Sequence, residues 1–141
     1  EGTPYPAGGG KNLFNPAWMP AKIIDHGVTW EMSTDGTMTV NGTVDTGTSY
    51  YNSNSFGFPA GTYTISAMTQ IRMSIIDVET GDILIAQVVG TDRTFTLDLD
   101  KTVRLFFATS GTLNNVKVKP QIEKGTTATA YAPYANIRRY L

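Results

Sequence analysis

Cysteine is absent from the 141 residues, so no disulfide framework and no thiolate metal site can form. Histidine occurs once, at His26, which removes the usual multi-histidine metal centre. Charge is sparse: 16% of residues are charged and the net charge is -1. An electrostatic nucleic-acid binder needs a basic stripe, and a solvating tail needs a long run of one sign. The chain has neither. No apolar run approaches the ~20 residues of a membrane-spanning helix, and no stretch reads as a signal peptide. Membrane insertion and nucleic-acid partners are therefore not expected. Helical periodicity is also missing. Only residues 17–25 form a weak candidate, and Pro20 interrupts it.

The motifs of catalysis are lacking too. There is no nucleophile elbow, no zinc-protease helix and no phosphate loop. Asp35, Asp45, Asp82, Asp92 and Asp100 sit among turn residues, where bonding to the local backbone explains them. Glu31 and Glu123 fall at strand positions. A glycosidase pair would need two carboxylates to converge in a cleft, and nothing in the spacing points to one. The reading is non-enzymatic, with no catalytic and no metal-ligating residues.

What the chain does have is β-branched residues. Thr (21), Ile (10) and Val (9) account for 40 of 141 positions. Such side chains are stiff at χ1 and suit a pleated surface. Short apolar/polar alternations recur with turn residues between them. Residues 28–32 put Val28, Trp30 and Met32 on one face. The turn Ser33-Thr34-Asp35-Gly36 follows, and residues 37–44 turn Met38, Val40 and Val44 inward. Further strands are expected at 62–68 (Tyr63, Ile65 and Ala67 inward) and 71–78 (Ile71, Met73 and Ile75 inward). Others are expected at 83–89, at 95–99 (Phe95, Leu97 and Leu99 inward) and at 103–109. In that last strand Val103, Leu105 and Phe107 face inward, Arg104 and Phe106 outward. The final strand spans 115–123, with Pro120 marking an edge or bulge. Residues 45–58 are polar and aromatic and read as a long loop. The count gives an all-β fold: an antiparallel β-sandwich, a jelly roll of about eight or nine strands. Residues 1–10, with two prolines and three consecutive glycines, read as a linker from a preceding module. Residues 11–141 read as a single domain. Glu1 rather than Met at the start suggests a processed or excised piece of a longer protein.

Three motifs carry a family resemblance. They are Gly10-Lys11-Asn12-Leu13-Phe14, the hairpin running from Gly27 to Thr43, and the ending from Pro120 through Gln121, Glu123 and Gly125 to Tyr131-Ala132-Pro133-Tyr134. Over residues 10–134 the chain resembles a jelly-roll module of phage and prophage tail proteins, similar to carbohydrate-binding modules and typical of Gram-positive hosts. The resemblance implies a place in the virion, in a tail fibre, baseplate or tail tip, acting at the host cell surface. It implies a host surface glycan as partner, with other modules or protomers of the tail protein beside it, in a trimer if tail fibres are the guide. It also allows a structural calcium ion. No dense acidic cluster supports one, so no cofactor is expected.

Sugar binding needs flat aromatic faces together with amide, guanidinium or carboxylate groups. The candidate set is Tyr50, Tyr51, Asn52 and Phe56 in the 45–58 segment, with Arg72, Arg104 and Gln121 on outward strand faces. If those strands are neighbours, Arg72, Arg104, Phe106 and Gln121 floor a groove beside the loop. The competing reading has Tyr50 and Phe56 capping one end of the sandwich. Trp30 is read as core, whereas Trp18 packs over a sheet edge or forms an exposed platform. Two other functions compete. One is a structural spacer or oligomerisation unit using outward apolar residues such as Met68, Ile76, Leu84, Val88 and Phe106. The other is an accessory domain of a cell-wall-degrading tail enzyme.

Overall fold

A computed structural model describes residues 11–135; the linker expected over residues 1–10 lies outside them. Among the described residues there are twelve strands and one 3-10 turn, Pro16–Trp18. The strands are β1 (Lys22–Asp25), β2 (Val28–Met32), β3 (Met38–Thr43), β4 (Ser49–Asn52), β5 (Phe56–Phe58) and β6 (Gly61–Ile65), then β7 (Arg72–Asp77), β8 (Ile83–Ala86), β9 (Arg93–Leu97), β10 (Lys101–Thr109), β11 (Thr112–Val118) and β12 (Ile122–Lys124). They pair antiparallel in three sheets, ordered β1-β2-β3-β11, β4-β10-β7-β8 and β12-β6-β9, with β5 also on β10. All three sheets contribute to one apolar cluster. The fold is all-β and sandwich-like, as the period-two patterning predicts. Val28, Trp30 and Met32, Ile71, Met73 and Ile75, and Val103, Leu105 and Phe107 are buried as their alternation requires.

Eight strands follow the expected segments, and four arise where the pattern is masked. The first is β1, in the segment read as a weak helix. Asn15 caps the 3-10 turn by accepting from the Ala17 N–H (2.9 Å). The chain then enters a hairpin whose two turn residues, His26 and Gly27, both have positive φ. That two-residue geometry matches the right-handed strand twist. A Cβ on Gly27 would lie 2.5 Å from the Thr43 carbonyl oxygen, so only glycine fits.

The second and third are β4 and β5, inside the expected 45–58 loop. Ser49 takes a core position there, so the alternation carries no apolar mark. Its hydroxyl accepts from Trp30 Nε1 (2.9 Å) and donates to the Asp25 carbonyl (2.7 Å). β4 lies against residues 106–109 of β10 and β5 against residues 101–103. Between them Ser53 stands in for a missing rung: its N–H donates to the Leu105 carbonyl and its Oγ accepts from the Leu105 N–H, both at 2.9 Å. The fourth is a split of the expected final strand. Pro120 cannot donate to a ladder; the chain leaves β3 after Val118 and resumes against β6 as β12, in a different sheet.

Three facings also differ. β6 ends at Ile65, which breaks the phase, so Ala67 is exposed and Met68 is buried. β9 ends at Leu97, leaving Leu99 67% exposed.

The two outer motifs of the sequence meet in a clasp. Buried Asn12 donates to the carbonyls of Pro120 (3.2 Å) and Ala132 (2.8 Å) and accepts from the N–H groups of Phe14 (3.0 Å) and Ile122 (3.3 Å). Gln121, 1% exposed, donates to Glu123 Oε2 (3.0 Å) and the Thr129 carbonyl (3.1 Å) and accepts from the Ala132 N–H (2.9 Å). Buried Glu123 accepts from the Thr129 N–H (3.0 Å) and hydroxyl (2.7 Å). Segment 125–135 is thereby held against the sandwich. Tyr131 lies under the Lys119 ammonium at 5.5 Å.

Candidate functional site

The long strand β10 stands between β4 and β7, and register decides which side chains share a face. Directly paired residues point to the same side of a sheet. Ala108 pairs with Tyr50 on one side and Arg72 on the other; Phe106 pairs with Asn52 and Ser74; Arg104 pairs with Ile76. These are outward positions, since Val103, Leu105 and Phe107 fill the core. Tyr50, Asn52, Arg72 and Arg104 therefore lie on one outer sheet face with Phe106 at its centre. Tyr50 meets Phe106 edge to face, centroids 5.4 Å apart at 75°. With strands about 4.8 Å apart and a rise of about 3.3 Å per residue, the Arg72 and Arg104 backbones are about 14 Å apart.

The floor of the face is made of small residues. Ala108 is 0% exposed and Ser74 1%, although both point outward. Each sits in a ladder row beside larger side chains: Ala108 between Tyr50 and Arg72, Ser74 beside Phe106. The large groups close over the small ones and leave Tyr50, Asn52 and Arg104 exposed and Arg72 and Phe106 half-buried. Sequence reading placed Phe106 outward but missed Ala108 as floor. The signal was an alanine two positions beyond Phe106 in an otherwise bulky strand.

The other three predicted residues do not join this face. Tyr51 points inward and is 0% exposed. Its ring packs between Trp30 and Phe107, at 5.4 and 6.2 Å, and its hydroxyl donates to the Pro20 carbonyl. Burial first, and then the charge of Glu31, pushes the Tyr51 phenol up to about 12. Phe56 is paired with inward Val103 and lies flat under Trp18, centroids 3.6 Å apart at 4°. It packs between β10 and the 3-10 turn of the entry segment. Gln121 belongs to the clasp. A ligand on the surface cannot reach Tyr51 or Gln121 without unfolding what they hold.

One end of the face is bounded by the β1–β2 turn. Asp25 accepts from the Tyr50 N–H (2.9 Å) and contacts His26 Nδ1 (3.1 Å) and the Ser49 hydroxyl (3.4 Å). The Tyr50 hydrogen bond is the largest effect and holds its carboxyl below its ordinary value; burial opposes it, and His26 and then Ser49 add to the lowering. The Asp25 hydrogen bond and charge raise the exposed His26 imidazole.

A second concavity, about 380 Å³, opens between the entry segment and the C-terminal wrap, with Trp18, Phe58, Tyr63, Lys124 and Tyr134 in its wall. Trp18 thus both covers Phe56 and lines this hollow. For metal binding, no three His, Cys, Asp or Glu side chains gather among the described residues. Asp35, Asp77, Asp92 and Asp100 accept from the backbone N–H groups of Thr37, Glu79, Ala67 and Ala60. The described residues offer the calcium ion no acidic cage.

No protein-family model matches the chain, and no curated protein or solved structure matches it either.

Proposed function

We propose that this chain is a non-catalytic, carbohydrate-binding-like module of a phage tail or fibre protein, attaching to host surface glycan through the outer face of β4, β10 and β7. The jelly-roll winding and the virion location belong to the same proposal, and the three sequence motifs support them. One observation carries the glycan reading. Four side chains chosen from sequence for sugar chemistry, Tyr50, Asn52, Arg72 and Arg104, lie together on one open face around Phe106. Aromatic surface covers the C–H side of a sugar ring, while amide and guanidinium groups bond its hydroxyls. Few hydrogen-bonding side chains are needed when the floor is rigid, and here it is a sheet.

The test is a glycan array together with binding to intact host cells, run with the wild type and Tyr50→Ala. Saturable binding weakened about tenfold or more in the variant is the expected result, since interface aromatics carry much of a binding energy. An absence of binding to every glycan and to cells would remove the reading.

A second reading is supported by the β8 edge. β8 is the last strand of its sheet, Ile83 on it is 60% exposed, and Val88 just beyond is 62% exposed. An uncovered apolar edge invites pairing with another chain. That reading makes the module an assembly unit, and sedimentation at rising concentration would show self-association.

A further inference from the structure

We infer that the glycan taken by this face is anionic, gripped through Arg72 and Arg104; this rests on the glycan-binding reading above. The face carries cations without their anions. Among the described residues neither guanidinium has a carboxylate partner; the two ion pairs present join Asp25 to His26 and Asp77 to Lys101. No outward position of β4, β7, β8 or β10 is acidic. Asp77 is on the inward side of β7, paired with inward Val103, and other carboxylates stand at the ends of the face. Asp25 is engaged by the Tyr50 N–H and His26, and Glu79 and Asp82 belong to the β7–β8 turn beyond Ile76.

In a chain of net charge -1, this leaves a locally positive strip. Arg72 is half-buried beside the small Ala108, so part of its ordering cost is already met before a ligand arrives. Among the described residues its guanidinium has no protein acceptor, and a half-buried cation without a partner is a poor arrangement for stability alone. The two arginines, about 14 Å apart along the ladder, stand on either side of Phe106, with Tyr50 across Ala108 from Arg72. An extended oligosaccharide laid along that line would meet the Phe106 ring in the middle, with Tyr50 beside it, and a guanidinium at each end. Guanidinium forks fit carboxylate and phosphate oxygens in a bidentate manner. Uronate and sugar-phosphate chains share this chemistry; a neutral chain has only hydroxyls to offer.

Calorimetric titration of the purified chain decides the matter with three probes: oligogalacturonate, its carboxyl-reduced neutral counterpart, and poly(glycerol phosphate). At least one anionic probe should bind tenfold or more tightly than the neutral one, with affinity falling as salt rises. The double variant Arg72→Gln/Arg104→Gln should bring anionic binding down to the neutral level, with a melting temperature near that of the wild type as a control on folding. Preference for the uronate assigns a carboxylate ligand; preference for the glycerol phosphate assigns a phosphodiester. Tyr50-dependent binding that ignores charge, or anionic binding that survives the double variant, overturns this inference while the glycan-binding reading stands. Failure of every glycan, on the array and in solution, overturns both.

Discussion

Two polar regions of this molecule invite comparison, the clasp at Asn12, Gln121 and Glu123 and the open face at Tyr50, Asn52, Arg72 and Arg104. In the clasp every side-chain polar atom of Asn12 and Gln121 has a protein partner, and the residues are buried. On the face the two guanidiniums have no carboxylate partner among the described residues. Burial without partners is costly, so a closed region must be self-satisfied, whereas an open one is free to leave its groups for something else. The clasp also holds two of the three motifs on which the resemblance proposed from sequence rests. Those motifs are explained by folding, which is why they say little about a ligand.

The sharpest way to break this comparison lies within one dipeptide. Tyr50 and Tyr51 are neighbours, yet one is on the face and one is in the core. Tyr51→Ala should cost roughly 4 kcal/mol, as for other buried aromatics cut to alanine. Tyr50→Ala should change stability by about 0.5 kcal/mol or less. Urea unfolding of both variants checks this, and similar losses would mean that the face is part of the core. Next in size is the clasp. Asn12→Ala leaves two buried N–H groups and two carbonyls without their partner, and the expected loss is about 3 kcal/mol. A melting point close to wild type would show that segment 125–135 is only loosely laid on the sandwich.

The smallest effect concerns the rim of the face. The raised His26 imidazole means that the folded chain holds this proton more tightly than the unfolded one. Its contribution to stability is present below pH 6.5 and is lost as pH rises through the raised folded value. The lowered Asp25 carboxyl contributes above pH 3.8 and is lost as pH falls through its depressed value. The pair is therefore complete between these limits. In an NMR titration, Asp25→Asn should bring the His26 midpoint down toward 6.5; an unchanged midpoint would separate the turn from Asp25.

Much of the fold was legible in the sequence, because period-two alternation is a local property. Val28, Trp30 and Met32, or Arg104 against Leu105, reveal a strand and its two sides without reference to any other segment. The turn at residues 33–36 is equally local: Asp35 accepts from the N–H of Thr37, two residues on (2.9 Å). Segment 45–58 was not legible, because its inward Ser49 is polar and its partners, Trp30 and Asp25, lie 19 and 24 residues away. The outward assignment of Gln121 failed for a related reason. Pro120 ends one strand phase, and the acceptors that bury the amide come from the C-terminal wrap.

For the site, sequence alone determined that Arg72, Arg104 and Phe106 point away from the core. Only the tertiary structure decided that β10 lies between β4 and β7 and so gathers them with Tyr50 and Asn52. Alternation fixes the two sides of a strand, but neighbours and register are set by pairing across long separations, where one residue of slip would turn every side chain to the other face.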